Sequence, residues 1–137
     1  MSGRLGVAEI QAYFDRSPYM TFMGFRVISA DPATETLEVH VPMRPEFERG
    51  PGSNQWHGGV LSAVVDTVGD FALVMAIGKP LPTINLRIDY LRPAIQTGLR
   101  AVGRVRRQGK TVGVADVDVF NDAGVLVAIG RAAYATA

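Results

Sequence analysis

One segment constrains this fold more than any other. From about Gly58 to Ile77 the chain is apolar enough, for long enough, to form a long helix, and no other stretch is. On a helical wheel Val60, Phe71, Val64, Met75, Val68, Leu61, Ala72, Val65 and Ala76 fill one broad arc. The opposite arc mixes Leu73, Val74 and Ile77 with Ser62, Thr67, Asp66 and Asp70. A solvent-facing arc does not usually carry three large apolar residues together. The second arc therefore reads as an interface with a few polar groups in it.

The remaining sequence reads as material to wrap around that helix. Val7, Ile10 and Phe14 recur at helical spacing, which predicts a short amphipathic helix over 6–16, ended by Ser17-Pro18. Phe25 to Asp31 reads as a strand and Asp31-Pro32-Ala33-Thr34 as a turn. Leu37, Val39, Val41 and Met43 alternate with polar or small neighbours, as a half-buried strand does. Residues 44–56 are polar and rich in Gly and Pro; they read as a loop, with Gly50-Pro51-Gly52-Ser53 as a mobile rim. Gly78-Lys79-Pro80 stops the long helix. Ile84, Leu86, Ile88 and Tyr90 then alternate with Asn85, Arg87 and Asp89. Leu99 to Arg107 and Val112 to Phe120 make two more strands around a Gln108-Gly109-Lys110 turn, and Val125 to Tyr134 makes the last. This order predicts an α+β fold, with an antiparallel sheet of about five or six strands around one central helix.

The length of 137 residues fits a single domain over 1–137, and 47% hydrophobic with 20% charged residues fits a globular chain. A net charge of +1 gives no basic field for nucleic acid. Cysteine is absent, which removes disulfides, thiol catalysis and thiolate metal sites. The two histidines, His40 and His57, are not at metal-ligand spacing, so neither a metal nor another cofactor is expected. His40 is expected to face solvent on its strand. The N-terminal Met1 to Gly6 lacks a long apolar leader core, and Asp66 and Asp70 interrupt the longest candidate for a membrane span. The expected location is cytoplasmic.

His57-Gly58-Gly59 runs straight into the long helix. A helix that begins in glycines offers free N–H groups and the positive end of its dipole to an electronegative oxygen. Asp66 lies two turns further in, among valines. It is either an ordinary exposed helix residue or a working carboxylate, because a buried charge without a partner is costly. Asp70, one turn later, reads as an interface or solvated residue.

Three stretches extend the pattern: W-H-G-G-V-L-S-A-V-V-D-T at 56–67, T-I-N-L-R-I-D-Y-L-R-P-A at 83–94 and V-F-N-D-A-G-V-L-V-A-I-G-R-A at 119–132, with Met23-Gly24-Phe25 before the first strand. In these the chain resembles the hotdog-fold acyl-CoA thioesterases, most of all the phenylacetate-degradation (PaaI-type) group. The resemblance implies hydrolysis of acyl-CoA thioesters to free acid and coenzyme A, at a site between two subunits of a homodimer that commonly pairs into a tetramer. It implies that Asp66 is the acidic group, that the backbone N–H groups of the turn at Gly58 and Gly59 polarise the carbonyl, and that Thr83 orients the attacking water. His57 supports the turn through its ring. Relatives often carry Asn where this chain has Pro51; Asn54 is the nearby candidate to replace it. Trp56 is bulkier than the family's residue there. The group's phenylacetyl-type substrates imply an aromatic or medium-chain acyl group.

From Gly58 to Asp66 is eight residues, about 12 Å along a helix. One chain does not bring both to one carbonyl, whereas two antiparallel helices in a dimer do. Of the basic residues 100–110, Arg100 or Arg104 can pair across the strands with Asp118 or Asp116. Arg107 and Lys110, at the hairpin tip, remain as candidates for the phosphates of coenzyme A. Trp56, Phe71 and Tyr90 are either acyl-pocket walls or core. The rival readings are a non-catalytic acyl-CoA binding or sensing protein, and a hotdog dehydratase or hydratase, whose families use His in a different motif.

Overall fold

The computed structural model describes residues 5–137, so Met1 to Arg4, on which part of the leader reading falls, lie outside the described residues. Two short helices open the chain where one was expected. Helix α1 (Val7–Arg16) begins at Gly6, whose N–H donates to the Glu9 carboxylate at 2.9 Å, and it buries Ile10 and Phe14. Ser17-Pro18 ends α1 as predicted and also starts α2 (Pro18–Met23). The Ser17 hydroxyl accepts the Met20 N–H at 3.2 Å, and proline in a first helical turn has no N–H to lose. Gly24 closes α2 at φ 75°, a left-handed conformation that glycine adopts without strain.

Strands β1 (Arg26–Asp31) and β2 (Thr36–Val41) follow, then a 3₁₀ turn (Pro45–Phe47) and the long helix α3 (Gly58–Ile77). Strands β3 (Thr83–Tyr90), β4 (Leu99–Gln108), β5 (Val112–Asn121) and β6 (Leu126–Ala135) complete the chain. All six strands form one antiparallel sheet in the order β1-β2-β4-β5-β6-β3. The α+β hotdog arrangement is present: the sheet curves around α3. Leu37, Val39, Leu99, Ala101, Val117 and Val119 meet Val64, Val65, Val68 and Phe71 in the core. Phe14 of α1 packs edge-on to Phe71, with centroids 4.9 Å apart. Helix and sheet approach so closely at Gly103 that a Cβ there would lie 2.9 Å from the Val68 carbonyl oxygen. Alone among the described residues, α3 is long and apolar enough to cross a membrane; it is the core helix.

The mixed arc of α3 is not an interface throughout. Leu73 and Val74 are fully buried within the chain, Leu73 against Leu81, Ala115, Ala132 and Tyr134. The sheet curls far enough to cover them, which a helical wheel does not show. What stays partly open on that side is Ser62, Ala63, Asp66, Asp70 and Ile77. Edge strand β3 is also open, with Ile84 and Tyr90 each about half exposed.

The ion pairs differ from those expected. Arg100 lies 3.5 Å from Glu38 and over the Phe120 ring instead of pairing with Asp118. Asp116 is opposite Arg104 in the β4–β5 register, but it is also opposite Arg131 of β6. Arg131 takes its carboxylate in a two-pronged contact (2.6 and 3.0 Å), and Arg106 approaches to 3.5 Å. Those guanidinium contacts hold the Asp116 carboxyl below its ordinary range. His40 is only partly exposed, its Nε2 3.0 Å from Asp122.

Candidate active site

The N-terminus of α3 is stitched in place from both sides. The His57 N–H donates to the Phe47 carbonyl and the Trp56 N–H to the Ala94 carbonyl, both at 2.9 Å. The Trp56 indole N–H reaches Thr97 O at 2.8 Å, and its ring packs on Phe47, so it is 2% exposed and forms a wall. His57 is the N-cap of α3, with Nδ1 accepting the Gly59 N–H at 2.9 Å. That bond makes Nδ1 an acceptor and puts the proton of a neutral ring on Nε2. It also occupies the Gly59 donor. The Gly58 N–H has no acceptor among the described residues, and Gly58 lines a cleft of about 400 Å³ with Trp56, Tyr90, Leu91, Arg49 and Arg92.

The rim before the helix is tied down, not loose. The Glu48 carboxylate accepts the N–H groups of Gly52 (3.1 Å) and Asn54 (2.7 Å). Asn54 sits at φ 55°, anchored by its backbone, and lines a separate hollow with Met43 and Arg44. The structure does not bring it into the Gly58 cleft.

Asp66 is partly exposed on the open side of α3, and its Oδ1 accepts the Thr83 hydroxyl at 2.6 Å. Thr83 opens β3, and Tyr90 ends it. Seven residues apart, they should point to opposite faces of the strand. Both nevertheless face α3, because the β3–β6 register slips between Thr83 and Asn85. The slip turns Thr83 inward and leaves Ile84 outside, 54% exposed, against the simple alternation expected of it. The Tyr90 hydroxyl donates to the Gly58 carbonyl at 2.6 Å and lies 2.8 Å from Ser62 Oγ. Neither contact was foreseen, since they join residues 32 and 28 positions apart through an edge strand.

Asp70 is not a solvated residue. It accepts the Leu81 N–H at 3.2 Å, and its carboxyl is pushed up to about 7, chiefly by burial and further by the charge of Asp66. Burial, with Asp66 adding, also raises the Tyr19 hydroxyl on α2, a neighbour that sequence reading missed. Arg107 and Lys110 project from the β4–β5 tip without an ion pair among the described residues. That tip adjoins Leu73, about 22 Å along α3 from Gly58, so one chain does not bring them to the cleft. The basic residues at the cleft are Arg49 and Arg92 instead. No His, Cys, Asp or Glu cluster among the described residues is arranged to hold a metal ion.

An open N–H over a cleft and a carboxylate holding a hydroxyl thus stand on one long helix wrapped by a single antiparallel sheet. The sequence profile of the thioesterase superfamily matches residues 54–128. A Halobacterium salinarum protein named as an esterase is 34% identical, over 93% of this chain and 89% of its own. The acyl-coenzyme A thioesterase PaaI of Escherichia coli is 30% identical, over 88% of this chain and 83% of its own. A solved structure from the thioesterase superfamily superposes with a TM-score of 0.89 at 33% identity, covering 94% of this chain and 96% of the other. The chain belongs to the thioesterase superfamily, in its PaaI-like group, and its enzyme class is thioester hydrolase.

Proposed function

We propose that this protein hydrolyses acyl-CoA thioesters, with aromatic or medium-chain acyl groups, to free acid and coenzyme A at two sites shared across a homodimer. The observation that carries the reading is the pairing of an open Gly58 N–H with an Asp66–Thr83 pair about 12 Å further along the same helix. A second copy with its α3 antiparallel would set Asp66 of one protomer beside Gly58 of the other. The open strip of α3 and the unpaired edge of β3 offer surfaces for that pairing. A dimer of dimers is part of the same proposal. So is a soluble cytoplasmic protein, supported by burial of the longest apolar segment inside the sheet.

In this reading the thioester oxygen accepts the Gly58 N–H, at the positive end of α3. Thr83 gives its one proton to Asp66 Oδ1, so its lone pairs and Asp66 Oδ2 are left to hold a water. Asp66 takes a proton from that water as its oxygen bonds to the carbonyl carbon. The tetrahedral intermediate collapses, the C–S bond breaks, and the proton returns to the departing sulfur. His57 fixes the turn, Trp56 walls the cleft, and Gly59 serves by holding His57. Asn54 acts only through the rim. Arg49 and Arg92 line the cleft for the phosphates of coenzyme A, and antiparallel pairing would carry the partner's hairpin tip, with Arg107 and Lys110, toward it.

The test is free-thiol release from a panel of acyl-CoA esters. Asp66→Asn should lower kcat by about a hundredfold or more; full activity in that variant would overturn the assignment. Gly58→Pro deletes the N–H at a position where helices tolerate proline, and His57 already has extended backbone (φ −67°, ψ 136°). Mixing the two inactive variants should restore about a quarter of wild-type activity if sites are shared, and none if they are not. Tight acyl-CoA binding without thiol release would favour the non-catalytic reading.

A further inference from the structure

We infer that Tyr90 and His57 clamp the peptide between Gly58 and Gly59 at its two ends and so steady, through the Gly58 Cα, the adjoining peptide whose N–H on Gly58 faces the substrate, which makes Tyr90 a positioning residue. The inference rests on the proposed role of that N–H. The carbonyl of this peptide accepts the Tyr90 hydroxyl at 2.6 Å, and its N–H donates to His57 Nδ1 at 2.9 Å. A peptide unit is planar, so holding both ends fixes its orientation. Two adjacent glycines have the greatest backbone freedom available, and the first turn of a helix is where its backbone bonds run out. The Gly58 N–H belongs to the preceding peptide, whose carbonyl, on His57, accepts the Val60 and Leu61 N–H groups at 3.0 and 3.2 Å; the clamp fixes the next plane, so both peptides that meet at the Gly58 Cα are held.

The bond to Tyr90 is not needed to satisfy the Gly58 carbonyl. In α3 that oxygen already faces the Ser62 N–H, four residues on. The tyrosine has one hydroxyl proton, and it goes to Gly58, so the Ser62 hydroxyl must donate to the tyrosine oxygen at 2.8 Å. The result is a short relay, Ser62 to Tyr90 to Gly58, in which each bond strengthens the next. Tyr90 is about half exposed, so its ring is not held there by deep burial. One strand thus tends both halves of the chemistry: Thr83 at its start holds Asp66, and Tyr90 at its end holds the Gly58 turn.

Tyr90→Phe keeps the ring and deletes the clamp. Three measurements on the full-length protein decide the matter: steady-state kinetics with an acyl-CoA ester, thermal unfolding, and amide NMR of Gly58 and Gly59. The expected result is a kcat lower by about tenfold with KM within about twofold of wild type. The melting temperature should hold, and the Gly59 amide should shift and exchange faster with solvent. Ser62→Ala should give a smaller loss in the same direction. An unchanged kcat in Tyr90→Phe would overturn the clamp, as would a loss that follows KM or melting temperature instead. Unchanged glycine amides would also overturn it. If Asp66→Asn proved fully active, the functional reading would fail on its own, and the amide signals would still judge the clamp.

Discussion

Asp70→Asn should make this protein more stable, by a margin that opens above about pH 4 and is complete near pH 7. The Asp70 carboxyl is pushed from 3.8 up to about 7, first by burial, with repulsion from Asp66 added and the Leu81 N–H pulling partly back. A carboxyl that holds its proton more tightly in the fold than in the unfolded chain costs nothing while both forms are protonated, below about pH 4. As pH rises from there, the unfolded chain ionises first and native stability falls. The fall stops near pH 7, where the native group ionises too. At about 1.36 kcal/mol per pH unit, that window amounts to at most about 4 kcal/mol. Residual solvent at a half-buried group reduces it to about 2 kcal/mol. Asparagine keeps an oxygen for the Leu81 N–H and removes the charge. The variant should therefore match wild type near pH 4 and exceed it by about 2 kcal/mol at pH 8, on the order of 5–10 °C in melting temperature. Urea unfolding of both proteins at pH 4.5, 6 and 8, at one protein concentration, measures this. Parallel stability curves, with no gain or the same gain at every pH, would refute the argument.

Three further outcomes are expected. Gly103→Ala places a methyl 2.9 Å from the Val68 carbonyl oxygen; because backbone must move, it should cost about 1–3 kcal/mol in a thermal melt. Thr83→Ala should lower kcat by about tenfold while Thr83→Ser recovers most of it; equal losses would show that the hydroxyl on Asp66 is not what matters. Arg49→Ala with Arg92→Ala should raise KM for coenzyme A esters about fivefold or more and spare N-acetylcysteamine thioesters. The same comparison for Arg107→Ala with Lys110→Ala separates the two cation pairs, and equal effects on both substrates would remove either from a phosphate role.

The elements that sequence periodicity could reach were those whose cause is local. The alternation of Leu37, Val39 and Val41 comes from burial of one strand face, and it is legible because its period is two. The bounds of α3 followed from its glycines. Pro18 was read only as a stop, because the same Ser-Pro pair that ends one helix can cap the next. Leu73 and Val74 were misplaced because a wheel cannot show how far a sheet curls. Ile84 was misplaced because one slip in register reverses a strand's faces, and nothing in T-I-N-L announces it. Among the candidate residues, the capping bond of His57 was within reach of its place before two glycines; Thr83 came only through the family resemblance, and its bond to Asp66 was not expected. Tyr90 was read as a pocket wall or core, without its bond to Gly58, and Arg49 and Arg92 were not singled out, since each arrives at the cleft through a loop or an edge strand whose path only tertiary packing sets.

The position of β3 also bears on how the molecule is assembled. Made directly after α3, this strand has among the described residues no neighbour in the sheet except β6, which ends only at Ala135. During synthesis it must wait, because its ladder does not exist until the last strand has left the ribosome. A chain cut before Leu126 would therefore lose two strands at once, and Thr83 and Tyr90 would lose the ladder that holds them against the helix.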